Sequence, residues 1–137
     1  MTAQEIVAAV KSLGLPQESY VVFGSCPMAL ANLREAGDID LLVTPEVFEQ
    51  LGARGWVMMH KGKDDNPLTK DIFEAHQHWN FSSYRPTLKH LQKTATMYHS
   101  VPFAALSEVR KWKAASGRPK DLVDVAMIDT YLTGIND

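Results

Sequence analysis

The feature that most constrains the fold of this chain is a pair of short apolar segments separated by a helix-length stretch. Residues 20–23 read Tyr-Val-Val-Phe, and residues 38–43 read Asp-Ile-Asp-Leu-Leu-Val. β-Branched and aromatic residues favour strands, so the first segment predicts a buried strand that ends at Gly24. In the second segment side chains alternate between the two faces of a strand, which places Asp38 and Asp40 on the same side.

Two aspartates on one face of a strand predict a cation site. Like charges held close together repel each other unless a cation lies between them. Mg²⁺ is the simplest candidate, because it binds carboxylate oxygens and keeps positions for phosphate and water. Gly24 and Ser25 lie between the first strand and a predicted helix. Glycine lets a ligand approach the backbone, and the serine hydroxyl and the helix N-terminus favour phosphate.

The composition indicates one domain over residues 1–137, long enough to form a core without disulfides. A single cysteine, Cys26, excludes an internal disulfide and fits a reducing compartment. Although a helix N-terminus can activate a thiol, we expect Cys26 to be a buried structural residue. The chain has neither an apolar run long enough to span a bilayer nor a basic signal region at its start. We therefore expect a cytoplasmic protein without membrane contacts.

Charge is distributed unevenly along the chain. The segment from Arg85 to Lys120 holds eight basic residues and one acidic residue, whereas the remainder holds six basic and fifteen acidic residues. The basic residues of the segment are Arg85, Lys89, Lys93, Arg110, Lys111, Lys113, Arg118 and Lys120. A basic segment that faces an acidic metal site would suit a substrate with phosphate groups. A solvated basic surface is the alternative.

The pattern of apolar residues and breakers predicts an α/β (α+β) fold with a mixed sheet of about five strands flanked by helices. Strands are expected near 20–23, 38–43, 55–60 and 71–79, with a polar loop over 62–69 and a strand or hairpin over 95–104. Helices are expected near 2–13, 26–36, 45–51 and 86–92. Two C-terminal helices, over about 106–115 and 119–133, complete the domain.

The predicted strand 71–79 places Glu74, His76 and His78 on one face, opposite Phe73, Ala75 and Trp79. A glutamate with two histidines suggests zinc, but the i,i+2 spacing has no cysteine or further histidine in register with it. Histidines that line a cleft or face the solvent are the favoured interpretation. The three tryptophans are expected to pack in or near the core rather than to stack on nucleotide bases.

The run VVFGSCPMALANLREAGDIDLLV, residues 21–43, resembles the signature of the nucleotidyltransferase superfamily, which shares the fold of DNA polymerase β. That signature is a hydrophobic strand, Gly-Ser, a short intervening segment and Asp-x-Asp in a second hydrophobic strand. The run WKAASGRPKDLVDV, residues 112–125, is similar to the Lys…Arg-x-Lys-Asp-x-x-Asp segment of small bacterial members. Those members are related to the AbiEii toxins and to the aminoglycoside nucleotidyltransferases.

The resemblance implies roles for particular residues. Asp38 and Asp40 would hold one or two Mg²⁺ ions, or Mn²⁺ in their place, and a third carboxylate on a neighbouring strand would act as general base. Glu74 is the candidate for that third position, and Asp71 is the runner-up. The implied nucleotide-binding residues are Gly24, Ser25, Lys113, Arg118 and Lys120. For Arg118, with Asp121 and Asp124, a structural ion-pair cluster at a helix start is the alternative.

The function implied is transfer of a nucleoside monophosphate from a nucleoside triphosphate to a hydroxyl of an acceptor, which would be an RNA, a protein or a small molecule. A homodimer could supply a missing wall of the cleft, and toxin-like members suggest an antitoxin partner. One alternative is a non-catalytic nucleotide-binding or interaction module on the same fold. Another is a metal-dependent phosphohydrolase that uses the carboxylates with His76 and His78.

Overall fold

The computed structural model describes residues 1–62 and 64–136, which form a mixed α/β fold. The helices in this part of the chain are α1 (Ala3–Ser12), α2 (Cys26–Leu30), α3 (Pro45–Ala53), α4 (Leu88–Lys93), α5 (Leu106–Ser116) and α6 (Pro119–Asn136). The strands are β1 (Tyr20–Phe23), β2 (Ile39–Val43), β3 (Val57–Met58), β4 (Leu68–Lys70), β5 (Phe73–His76), β6 (Thr96–Tyr98) and β7 (Val101–Phe103).

These seven strands form one mixed sheet in the order β3-β4-β5-β2-β1-β7-β6. Neighbours β2 and β5 are parallel, as are β1 and β7, and the other pairs are antiparallel. The expectation of about five strands is wrong for two reasons. Residues 95–104 form a hairpin of two strands, and Leu68–Lys70 forms β4 at the end of the predicted loop. Leu68 is buried and pairs with Ala75, so packing overrides the turn signals that precede it.

The helices begin where their capping residues indicate. The Thr2 hydroxyl accepts a hydrogen bond from the backbone N–H of Glu5, and the Glu5 carboxylate accepts one from the N–H of Thr2. Helix α2 is shorter than the predicted 26–36 because the chain leaves the helix after Leu30 and reaches a left-handed φ of 60° at Asn32. The prediction of two C-terminal helices is confirmed by α5 and α6.

The sheet has a hydrophobic cluster on each face, as the alternation of side chains along its strands requires. On one face Val22 and Leu41 pack with residues of α1 and α3. On the other face Phe23 and Leu42 pack with residues of α5 and α6, including Trp112. Because Asp40 alternates with Leu41, its side chain belongs to this second face, where the sheet meets the two C-terminal helices.

The longest helix, α6, carries charged and polar residues along its length. Within residues 1–62 and 64–136, none of the helices is both long enough and apolar enough to cross a membrane.

Candidate functional site

Asp40 and Glu74 lie side by side on neighbouring strands. Strands β2 and β5 run parallel with Asp40 opposite Glu74, and Phe23 of β1 flanks Asp40 on its other side. Leu41 and Ala75, the next residue of each strand, are fully buried in the cluster on the far face of the sheet. Both carboxylates therefore project from the same face, toward the C-terminal helices.

Gly24 packs directly against Asp40. Its φ of +65° is a left-handed conformation, and a Cβ at this position would lie 2.9 Å from Cγ of Asp40. Only glycine combines that backbone conformation with so close an approach. Ser25 follows as the N-terminal cap of α2, is half-buried and makes no capping hydrogen bond with its side chain. The turn thus holds the Asp40 carboxylate in place and leaves the Ser25 hydroxyl available to a ligand.

Asp38 and Asp71 occupy less central positions than Asp40 and Glu74. Asp38 is exposed, lies just before β2 and lines the same cavity. Asp71 is exposed in the turn before β5, with a φ of 53°. Because the pairing of β5 with β2 starts at Phe73, the strand register brings Glu74 and not Asp71 beside Asp40.

His76, predicted from the sequence to share a face with Glu74, completes a group with Asp40 and Glu74. Asp40, Glu74 and His76 each offer a ligand atom within 4.8 Å of the others. Nε2 of His76 lies 3.7 Å from Oδ1 of Asp40 and 3.4 Å from Oε1 of Glu74. The alternation Glu74-x-His76 was the available sequence signal, but only the pairing of β5 with β2 shows that His76 turns toward Asp40. We call these three residues the carboxylate–histidine cluster.

Lys61 reaches the cluster from the segment that follows β3. Its ammonium donates to both carboxylate oxygens of Glu74, at 2.7 and 2.8 Å. Partial burial alone would lower the pKa of Lys61, but the hydrogen bonds to Glu74 and the charges of Glu74, Asp40 and Asp65 raise it above its usual value. The positively charged Lys61 ammonium is therefore already bound to the Glu74 carboxylate.

Across the cavity α5 and α6 present an ion-pair network. Nζ of Lys113 lies 2.9 Å from Asp124 and 3.5 Å from Asp121. Asp124 also accepts from Arg34 at 2.8 Å, and Asp121 accepts from Arg118 at 2.6 Å. We call the residues Arg34, Lys113, Arg118, Asp121 and Asp124 the buried network, since Lys113 and both aspartates are enclosed at its centre.

The basic segment from Arg85 to Lys120 does not act as one surface. Only Lys113, Arg118 and Lys120 among its eight basic residues line the cavity. The charge of Lys113 is already neutralised by two aspartates, and the Lys113 side chain is only 4% exposed. Arg118 and Lys120 are exposed. Of the three basic residues that the resemblance implied for phosphate binding, these two are therefore the ones that a ligand can reach.

A cavity of about 620 Å³ lies between the carboxylate–histidine cluster on the sheet and the buried network on α5 and α6. The implied site residues that line it are Ser25, Asp38, Asp40, Glu74, Lys113, Arg118 and Lys120. Aromatic residues form its base: the rings of Trp79 and Trp112 meet edge to face at 5.0 Å, and Trp79 stacks on Phe23 at 4.9 Å. Both tryptophans are almost wholly buried, which agrees with their expected packing role.

Cys26 lies behind the site as a buried thiol. Burial, assisted by the charge of Asp40, raises the pKa of Cys26 to about 12, and its Sγ donates to the backbone carbonyl of Asp38 at 3.4 Å. A thiol with so high a pKa is protonated at neutral pH and is a poor nucleophile.

The fold and the site together define a mixed α/β protein with a carboxylate–histidine cluster that faces a buried ion-pair network across one cavity. Comparisons of the chain with protein-family models, with curated proteins and with solved structures find no significant match. What the protein does is therefore inferred from the chemistry of its own site.

Proposed function

We propose that this protein is a nucleotidyltransferase of minimal size, which moves a nucleoside monophosphate from a nucleoside triphosphate to an acceptor hydroxyl with the help of a divalent metal. The observation that carries the proposal is the register of β2 with β5, which sets Asp40 beside Glu74 at the edge of a 620 Å³ cavity. The path of the chain from β1 through Gly24 and Ser25 into α2, and back along β2, supports a nucleotidyltransferase fold.

The residues of the cavity fit a divalent cation and a triphosphate. Asp40 and Glu74 supply oxygen ligands, and the enclosed Nε2 of His76, which lacks a hydrogen-bond partner among the described residues, points at both. A metal bound there would neutralise charge on the transferring phosphate and lower the pKa of the acceptor hydroxyl. Ser25, Arg118 and Lys120 line the cavity and are the candidates to bind the phosphate oxygens. Arg118 would do so with the part of its guanidinium that does not donate to Asp121.

In the proposed reaction the acceptor oxygen forms a bond to the α-phosphorus, and the bond from that phosphorus to its bridging oxygen breaks. Pyrophosphate leaves with the electron pair. Glu74 takes the proton from the acceptor hydroxyl, a role that requires Lys61 to move away from the Glu74 oxygens first.

A metal-dependent phosphohydrolase is the second candidate, because His76 belongs to the same group as Asp40 and Glu74. A water molecule, rather than an acceptor hydroxyl, would then attack phosphorus. The two reactions differ in their products: nucleotidyl transfer releases pyrophosphate and labels an acceptor, whereas the hydrolase releases phosphate or nucleotide and labels nothing.

The test is incubation of the protein with α-³²P-labelled nucleoside triphosphates, divalent metal and candidate acceptors, with thermal unfolding followed in parallel. We expect metal-dependent stabilisation by a nucleoside triphosphate and label on an acceptor. Asp40→Asn should lower transfer about 100-fold or more and abolish the stabilisation. Asp71→Asn is the matched control, since Asp71 is exposed, lies outside the cavity and has a left-handed φ that asparagine tolerates.

If the wild-type protein shows no metal-dependent stabilisation by any nucleoside triphosphate, or if Asp40→Asn responds as the wild type does, the proposal fails. Metal-dependent stabilisation without any turnover would indicate a non-catalytic nucleotide-binding module. Release of phosphate without a labelled acceptor would indicate the hydrolase.

A further inference from the structure

We propose that the carboxylate–histidine cluster selects a divalent transition metal of borderline softness, of the Zn²⁺ or Co²⁺ kind, over Mg²⁺, with Nε2 of His76 as the third ligand. This inference rests on the proposed function for the location of the metal at Asp40 and Glu74. It adds the identity of the metal and assigns a ligand role to His76.

The distances within the cluster fit a small cation. Nε2 of His76 lies 3.4 Å from Oε1 of Glu74 and 3.7 Å from Oδ1 of Asp40. Ligand atoms bound at about 2.1 Å around a tetrahedral ion lie about 3.4 Å from one another. All three ligand atoms lie within 4.8 Å of one another, so side-chain movements that also release the Lys61 ammonium from Glu74 would close them on one ion. The cavity leaves space for water or substrate at a fourth position.

The surroundings of His76 hold its ring in a ligating orientation. The ring packs edge to face against Trp79 with the centroids 4.7 Å apart, and its side chain is 11% exposed. Oδ1 of Asp65 lies 3.6 Å from Nδ1, on the side of the ring away from the two ligand carboxylates. At 3.6 Å these two atoms lie just beyond hydrogen-bond distance. Metal-binding histidines commonly have a carboxylate in this position, which fixes the tautomer and raises the basicity of the ligating nitrogen once the hydrogen bond forms.

His78 provides an internal contrast two residues away. Its Nε2 is hydrogen-bonded to the backbone carbonyl of Asp64 at 2.8 Å, and its Nδ1 accepts from the N–H of Asn80. Both ring nitrogens of His78 are thus engaged, whereas Nε2 of His76 is enclosed without a hydrogen bond among the described residues. The two histidines therefore differ in role: His78 lies two residues beyond the end of β5 and is hydrogen-bonded to the loop at Asp64, whereas His76, the last residue of β5, is available to bind a metal.

The chemistry of the donor set decides the preferred metal. Mg²⁺ requires near-octahedral oxygen coordination and keeps several water molecules, so an imidazole nitrogen adds little to its affinity. Imidazole is a good ligand for transition metals of borderline softness. The affinity of a given site for a divalent transition metal increases in the order Mn²⁺, Fe²⁺, Co²⁺. A site made of two carboxylates and the His76 imidazole therefore favours such a transition metal over Mg²⁺.

The test uses Co²⁺ as the probe, without nucleotide, on the full chain. Visible absorption of bound Co²⁺ reports binding and coordination, and competition with Mg²⁺ reports selectivity. We expect one Co²⁺ ion per chain that about a tenfold excess of Mg²⁺ does not displace. His76→Gln should lower the Co²⁺ affinity about tenfold or more and leave the Mg²⁺ affinity within about twofold. His78→Gln, the matched control, should change neither affinity.

Asp65→Asn is a second variant that keeps all three ligands. Because Asp65 is half exposed, this variant should fold as the wild type does, and it should weaken Co²⁺ binding less than His76→Gln does. Equal affinities of the wild type for Mg²⁺ and Co²⁺, or equal losses for both metals in His76→Gln, would overturn the inference while the proposed function stands. A selective loss of Co²⁺ in His76→Gln supports the inference even where the transfer assay fails, since metal binding is measured without nucleotide.

Discussion

Two lysine–carboxylate pairs line the same cavity and differ in burial. Lys61 and Glu74, on the sheet side, have side chains that are 36% and 18% exposed. Lys113 and Asp124, on the side of the C-terminal helices, are each 4% exposed. The distances are similar, with Nζ 2.7 Å from Glu74 and 2.9 Å from Asp124. Geometry alone would assign both lysines the same role.

Burial separates those roles. An exposed pair contributes little net free energy, because water competes for both charges and the side chains lose freedom when they pair. Removing one member of a buried pair is costly, because the remaining charge stays enclosed without compensation. We therefore expect the Lys61 ammonium to be able to leave Glu74, and the Lys113 ammonium to stay with Asp121 and Asp124. In this interpretation the Lys61 ammonium, beside the sheet, is exchangeable, and the Lys113 ammonium, beside the C-terminal helices, is structural.

The largest expected effect that tests this contrast is on Lys113. Replacing it by methionine keeps an unbranched apolar side chain, but removes the ammonium that lies 4.5 Å from the centre of the Trp112 ring and leaves Asp124 and Asp121 without their shared partner. We expect Lys113→Met to lower the free energy of unfolding by about 3–5 kcal/mol, measured by urea denaturation. A loss below about 1 kcal/mol would show that the network is as exchangeable as the pair on the sheet side.

An intermediate effect is expected on the acid side of the pH–stability profile. Burial alone would raise the pKa of Asp121, but hydrogen bonds from Arg118 and Ser116 and the charge of Lys113 lower it below 3.8. Stability from a lowered carboxyl pKa is fully present above the unfolded value and is lost as the pH falls through the folded value. We therefore expect urea denaturation to show a decline in stability below about pH 4 that is shallower in Asp121→Asn.

Asp129→Asn is the control for that profile. The pKa of Asp129 is also lowered, by a hydrogen bond from Arg110, but this pair lies on the exposed surface. The Asp129→Asn substitution should therefore change the acid-side decline in the free energy of unfolding less than Asp121→Asn does. Equal slopes in the wild type and in Asp121→Asn would contradict a stabilising role for the buried network in acid.

The smallest expected effect on stability is that of Lys61→Met, the counterpart of Lys113→Met. The free energy of unfolding should change by less than about 1 kcal/mol. Affinity for Co²⁺ should rise several-fold, because an ammonium no longer competes for both oxygens of Glu74. Urea denaturation and Co²⁺ absorption measure the two quantities. If the variant loses as much stability as Lys113→Met, Lys61 is structural and the contrast between the two pairs does not hold.

Local patterns predicted much of the fold. The apolar runs predicted β1 and β2, the capping residue Thr2 predicted the start of α1, and two C-terminal helices were found where expected. Strand β4 escaped prediction because Leu68–Lys70 shows no strand pattern of its own and becomes a strand by pairing with β5. Helix α2 was predicted too long because the left-handed turn at Asn32 has no strong local signal.

The candidate site divides in the same way. The alternation along β5 correctly indicated that Glu74 and His76 share a face, opposite Phe73 and Ala75. Extending it to His78 and Trp79 was wrong, because β5 ends at His76 and Trp79 packs in the cluster on the other face of the sheet. That His76, and not Asp38, completes the group with Asp40 depends on where β5 pairs with β2, which is a contact between segments distant in sequence. Sequence spacing does not report that register.

By itself, the sequence determined the strands β1 and β2, the glycine turn between β1 and α2, and the shared face of Glu74 and His76, since these follow from backbone preferences and the period of a strand. Only the tertiary structure decided which strands are neighbours and which charges are enclosed. Those outcomes depend on packing between distant segments and on the loss of water around a charge. Lys61 and Lys113 are the same residue type beside carboxylates, but Lys113 is enclosed between two aspartates whereas Lys61 is partly exposed beside one glutamate, so we expect different roles for them.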